Sequence, residues 1–215
     1  MQKRTLDVLK NFSQISPKIL ISAGDMLRTR DITGNVFAFA RVPDTFPVTF
    51  ALYDLNEFLA TWSMFKEPEI TYREDYLTIK QGRASVKYIT SSPKAVPQVP
   101  TTELPLGECL LRFHMTSEQI EQAQKASSVL SLKNLSITKN AVTVLDCDTD
   151  NGSTFECEYT ALSDISTVPD NMVWNIDFRD LKMLPDGYTF EVMQKALKVV
   201  GDLGDVFYVA AYKQI

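Results

Sequence analysis

One histidine, His114, stands among 215 residues, and its solitude excludes multi-histidine metal centres and the HExxH zinc motif. The three cysteines, Cys109, Cys147 and Cys157, are an odd number with no C-x-x-C spacing, which suits a reducing compartment. The eight glycines are scattered at turns. They form neither G-x-x-x-x-G-K-[ST] nor G-x-G-x-x-G, which argues against nucleotide binding, and G-x-S-x-G is missing as well, so there is no nucleophile elbow. No apolar run approaches the roughly 18 residues of a membrane span. The opening MQKRTLDVLKNF is basic and then amphipathic, without the apolar core and cleavage site of a signal peptide. The acidic run Asp146-Cys-Asp148-Thr-Asp150-Asn-Gly152 is tempting as a calcium loop. It has Asn151 where that loop needs glycine and Cys157 where it needs glutamate, so it reads as an acidic hairpin end. His114, in LLRFHM, reads as a satisfied strand residue; its nearness to Cys109 in sequence does not make a dyad. No catalytic set and no cofactor site emerges.

What is present is globular composition, 45% hydrophobic and 23% charged, with a formal net charge of −5. That charge argues against a protein that grips nucleic acid by overall attraction. It is also an average. Residues 1–30 hold six basic groups (Lys3, Arg4, Lys10, Lys18, Arg28, Arg30) against Asp7 and Asp25, a balance of +4, which leaves −9 for the rest. One electropositive face on an otherwise acidic molecule fits this pattern.

Four of the ten prolines fall in Ser91–Pro105, SSPKAVPQVPTTELP, which reads as an extended connector. It divides the chain into a domain at 1–90, the connector at 91–105 and a second domain at 106–215. Both halves show the same order. In TLDVLKNFSQI, Leu6, Val8, Leu9, Phe12 and Ile15 share one side of a helix while Lys3, Asp7, Lys10 and Gln14 share the other. In TSEQIEQAQKASSVL, Thr116 and Gln119 have capping-box spacing; Ile120, Ala123, Ser127 and Leu130 face inward, and Glu121, Lys125 and Ser128 outward. Strand-like segments with hairpin turns follow each helix. A second helix is then expected in each half, opened by Asp54-Leu-Asn-Glu57 and by Asp177-Phe-Arg-Asp180. The fold class is α+β, built from two similar domains.

A duplicated, acidic chain without a catalytic set is a scaffold of some kind. One form is a head-to-tail ring around duplex DNA, basic inside and acidic outside. Another is a non-enzymatic structural or assembly protein.

Leu9-Lys-Asn-Phe12-Ser-Gln-Ile15, the following ILISAGDMLRTRDITGNVFAFA, and above all Leu52-Tyr-Asp-Leu-Asn-Glu-Phe-Leu59 resemble the sliding clamps of T-even-type tailed phages, the DNA polymerase processivity factors. The resemblance covers about residues 6–60, with weaker echoes at Met183-Leu-Pro-Asp-Gly-Tyr188 and Tyr208-Val-Ala-Ala. It implies a non-enzymatic homotrimeric ring of DNA-clamp domains, antiparallel sheets outside and helices lining the hole. It implies sequence-independent encirclement of double-stranded DNA in the infected host's cytoplasm, with no membrane partner. The partners it implies are a DNA polymerase, a clamp-loader ATPase and late-transcription factors. Lys10 matches the family's inner-helix lysine. Helical-wheel reasoning adds Lys3, Arg4, Lys125, Lys133, Arg179 and Lys182 as DNA-facing. For the partner-peptide pocket the resemblance points to Tyr88 and Ile89, where this chain has isoleucine in place of a family aromatic, with Val192 and Met193 as walls.

Overall fold

A computed structural model describes residues 1–102, 104–149, 152–164, 166, 168–178 and 181–212. The chain divides into two compact units, Met1–Thr101 and Thr102–Ile215.

In the first unit, helix α1 (Lys3–Ile15) is followed by strands β1 (Ile19–Ile21), β2 (Gly24–Arg30), β3 (Val36–Phe46) and β4 (Phe50–Leu52). Then come helix α2 (Leu55–Ser63) and strands β5 (Glu69–Tyr72), β6 (Tyr76–Gln81) and β7 (Ala84–Ile89). All the pairings are antiparallel: β1 with β4, β2 with β3, and β5 and β7 on either side of β6. The β2–β3 turn is tied by Asp31, whose carboxylate accepts the Val36 N–H at 2.8 Å, while Gly34 takes the left-handed conformation at φ +77°.

The inner side of α1 is Thr5, Val8, Leu9, Asn11 and Phe12. Val8, Leu9 and Phe12 lose all exposure, each worth about 1.5–3 kcal/mol of apolar burial. The start of α1 has no side-chain cap of its own and no acid in its first turn. Its anion comes from β3 instead. Asp44 Oδ2 accepts the Gln2 N–H at 2.7 Å and the Thr5 hydroxyl at 2.5 Å, setting a carboxylate at the positive helix end. Helix α2 carries the expected cap, with Asp54 Oδ1 accepting the Glu57 N–H at 3.0 Å. The Asp54 carbonyl receives both the Phe58 N–H at 3.1 Å and the Tyr88 hydroxyl at 3.1 Å. Burial, with Glu57 and Asp54 adding to it, pushes the Tyr88 phenol up to about 12, so it stays a donor.

The proline-rich segment departs from the extended reading at its start. Pro93–Ala95 form a 3₁₀ turn with Ser92 as cap, the Ser91 N–H bonds the Ala51 carbonyl at 2.9 Å, and Val96 is buried. Proline at the first helical position has the required φ already set, which makes such a turn cheap.

The second unit starts with β8 (Cys109–Met115) and helix α3 (Ser117–Leu130), followed by β9 (Asn134–Ile137), β10 (Ala141–Leu145), β11 (Phe155–Glu158), β12 (Thr160–Ala161) and β13 (Trp174–Asp177). It ends with β14 (Tyr188–Met193), β15 (Ala196–Gly201) and β16 (Val206–Ala211). One antiparallel sheet runs β11-β10-β9-β13 and another β12-β8-β14-β15-β16. Helix α3 has the full capping box: Gln119 N–H to Thr116 Oγ1 at 3.3 Å and Thr116 N–H to Gln119 Oε1 at 2.8 Å. Ile120, Ala123 and Ser127 are its buried face, as the spacing predicts, but Leu130 is 39% exposed, because the helix ends there and Ser131 turns the chain away at φ +56°.

The second helix expected after Asp177 is not there among the described residues. Asp177 is the last residue of β13, opposite Asn134, and the Phe178 N–H bonds the Lys133 carbonyl at 2.9 Å. Beyond it Leu181 and Met183 are buried with Lys182 exposed between them, in a segment that is neither helix nor strand. Tyrosine hydroxyls replace helical hydrogen bonds: the Tyr208 hydroxyl accepts the Leu184 N–H at 3.0 Å, and that of Tyr188 donates to the Leu184 carbonyl at 2.8 Å. Arg179 and Asp180 lie outside the described residues.

Asp146, just past β10, is nearly sealed off. Its Oδ1 accepts the Asp148 N–H at 3.0 Å and Lys133 Nζ lies 3.3 Å from its Oδ2. The Asp148 N–H and Lys133 hold its carboxyl below the usual value, against the opposing effect of its own desolvation. A depressed native carboxyl stabilises the fold above the unfolded-state value of about 4, and this stabilisation disappears as the pH falls through the native value.

Two expectations follow from these contacts. Asp44→Ala removes the anion at the α1 start and lowers the unfolding free energy by about 1–2 kcal/mol, seen as a lower urea midpoint at unchanged slope. Asp146→Asn flattens the acid side of the stability profile, measured as urea midpoints from about pH 6 to about pH 3. The wild-type chain loses the larger share of its stability over that range.

Candidate nucleic-acid interface

Helix periodicity puts Lys3, Asp7, Lys10 and Gln14 on the side of α1 opposite Val8, Leu9 and Phe12. Lys3, Lys10 and Gln14 are exposed, and Arg4 and Asp7 half-buried at the margins. Because α1 is buried along one side against β3 and α2 and held at its start by Asp44, the direction of this basic face is fixed. Lys3 and Lys10 are two helical turns apart, about 10.5 Å along the axis. Helix α2, LNEFLATWS, contributes no cation. The positive groups of the first unit's helices therefore all come from α1.

The predicted cations of the second unit are differently placed. Lys125 is exposed on α3, on a face that also shows Glu118 and Glu121. Lys133 follows α3 and is half-buried, its ammonium 3.3 Å from the Asp146 carboxylate, a partner that the helical wheel does not show. Lys182 is exposed and lies in neither a helix nor a strand. Arg179 is outside the described residues.

The four expected pocket residues separate by environment. Tyr88 is 9% exposed, its ring edge-on to Phe58 at 5.5 Å, and belongs to the first unit's core. Ile89, the next residue on the strand, points to the opposite face and is 64% exposed. Val192 is fully buried in mid-sheet between Leu111 and Leu197, so its side chain is core. Met193 is half-buried at the register shift that follows, and its carbonyl accepts the Tyr212 hydroxyl at 2.7 Å. Of the four, Ile89 and Met193 retain accessible surface of any size.

Groups with latent chemistry are otherwise engaged. His114 Nε2 lies 3.0 Å from Asp202 Oδ1, over Gly187, where an added Cβ would come within 2.2 Å of the same carboxylate. Burial, and secondarily Glu191, push the Cys109 thiol up, the wrong direction for a nucleophile. Among the described residues no three His, Cys, Asp or Glu side chains converge as metal ligands, and no helix is long and apolar enough to cross a membrane.

Sequence reasoning misses Asp44 and Thr5, whose contact fixes the helix start, because they lie 39 residues apart and neither carries a local signal. It misses the engagement of Lys133 for the same reason.

The family model described as DNA polymerase processivity factor matches residues 2–98, the stretch that contains α1, Asp44 and α2. The sliding clamp of Vibrio phage KVP40 is 32% identical over 149 residues, covering 66% of this chain and 65% of the relative. That of Enterobacteria phage T4 is 28% identical over 140 residues, 64% of this chain and 61% of the relative. The matched region thus spans just under two thirds of these curated relatives. Among solved structures, A. fulgidus PCNA, bound to the C-terminal region of FEN-1, aligns over 98% of this chain and 95% of its own with a TM-score of 0.67. At 14% identity that likeness shows a common fold and nothing finer. By sequence the chain is similar to the DNA polymerase processivity factors through residues 2–98 and to the sliding clamps of T-even-type phages, and along nearly its whole length it shares the fold of A. fulgidus PCNA.

Proposed function

We propose that this chain is a sliding clamp that encircles duplex DNA and tethers a phage DNA polymerase for processive replication. The observation that carries the reading is the coincidence of the processivity-factor match, residues 2–98, with the exposed basic face of α1. Three copies form a ring of six domains, a clamp-loader ATPase opens it, and the protein works in the cytoplasm of the infected host without catalysing a reaction itself. Polymerase and late-transcription factors dock through short peptides. The relatives support this mode: A. fulgidus PCNA carries the C-terminal region of FEN-1, and the Helicobacter pylori beta clamp carries a DNA ligase peptide. Ile89 is the exposed apolar side chain offered to such a peptide in the first unit, and Met193 the corresponding one in the second.

The mechanism needs little from any single contact. A ring is retained on DNA by topology, so each phosphate contact is free to be weak and salt-screened, and a tight local contact would halt sliding. Linking the polymerase to a ring already on the template raises its effective concentration at the primer end. A net charge of −5 is compatible with this, because encirclement replaces overall attraction.

The mass in solution is expected at three times 24.3 kDa, measured by sedimentation equilibrium. A strict monomer at high concentration would overturn the ring. Loaded onto nicked circular DNA, the protein is expected to persist and to be released when the circle is linearised. Equal retention on both forms would count against encirclement.

A further inference from the structure

We infer that DNA contact in this clamp is one-sided, with α1 of the first unit meeting the phosphates while α3 of the second unit contributes no net attraction. The inference rests on the clamp reading and goes beyond it, since a duplicated inner surface would by default be basic in both units. The two helices match in most respects. Each buries one side, each presents a polar face of about the same length, and each has its start fixed by a side chain acceptor, Asp44 for α1 and Thr116 for α3. Their charges are opposite.

Helix α1 carries Lys3, Arg4 and Lys10 against Asp7. Helix α3 carries Glu118 and Glu121 against Lys125. Glu121 precedes Lys125 by four residues, the order in which an acid and a lysine attract most on a helix surface, so the one ammonium of α3 is partly offset by its own helix. Glu118 and Glu121 also have local donors, Gln122 Nε2 at 3.3 Å and the Ser117 hydroxyl at 3.4 Å, which keep the carboxylates near the helix start. The next cation along the chain, Lys133, is held by buried Asp146. A polyanion approaching α3 at physiological salt, within a Debye length of about 8 Å, therefore meets two carboxylates and one partly compensated lysine. Approaching the outer face of α1, it meets exposed Lys3 and Lys10 against half-buried Asp7, with Arg4 at the margin and the Asp44 carboxylate turned to the helix start.

The test uses the full-length protein and a short fluorescein-labelled linear duplex, with binding followed by anisotropy at increasing salt. Lys10→Gln is expected to weaken binding about threefold to tenfold and to make the salt dependence shallower by about one phosphate contact. Lys125→Gln is expected to stay within about twofold of wild type. Glu118→Gln combined with Glu121→Gln is expected to tighten binding by about threefold. All these positions are exposed, and thermal unfolding of each variant checks that the fold is intact. Equal weakening by Lys10→Gln and Lys125→Gln, or an unchanged affinity in the double glutamate variant, would overturn the inference while leaving the clamp reading in place. Loss of retention on nicked circles by the wild-type protein would remove the clamp reading, and this inference with it.

Discussion

The burial of one side of α1 is the constraint on which the first unit depends. Val8, Leu9 and Phe12 have no exposure left, and once they are seated the opposite residues, Lys3 and Lys10, have no choice of direction. Asp44 completes the arrangement by fixing where the helix starts. Apolar packing supplies the energy and the carboxylate supplies the register. The basic face is a by-product of both, which is why Lys3 and Lys10 are placed by their neighbours on the helix.

Much of this is legible in the sequence, and the legible parts are local. Asp54 and Glu57 three residues apart, Thr116 and Gln119 likewise, and the 3.6-residue rhythm of Leu6 to Ile15 each announce a helix within a single window, and each helix is present. The same window logic fails at Asp177. The pattern of an acid followed three residues later by another acid is there, yet pairing of Asp177 with Asn134 uses the backbone first, and two tyrosines from elsewhere in the unit satisfy the segment beyond. Tertiary partners outbid a local signal, and no inspection of residues 177–184 alone reveals them. Strand β15 is quiet for a related reason: Lys198 interrupts its apolar run, and only the register shows that Lys198 spans to Glu191, 3.0 Å away.

The site was legible in part and for the same reason. That Lys10 lies on an outward helix face follows from spacing. That Lys133 is engaged does not, because Asp146 is brought to it by the β9–β10 hairpin. Consecutive residues on a strand were separable in principle: Tyr88 and Ile89 must point to opposite faces, so they cannot both line one surface. Val192 sits among alternating core residues of β14 and follows the same rule.

The acceptor that fixes the start of α1 has one more consequence, for the order in which the chain acquires structure. Gln2 and Asp44 are 42 residues apart, so α1 cannot be completed at its first turn until the end of β3 exists. At a synthesis rate of about 5–20 residues per second, the helix waits about 1.5–6 s for its carboxylate after its own last residue is joined to the chain. An isolated helix of 13 residues is marginal in water over such an interval. The start of α1 therefore stays open during synthesis until the strand that carries Asp44 is made, which ties the appearance of the basic face to the β2–β3 hairpin behind it.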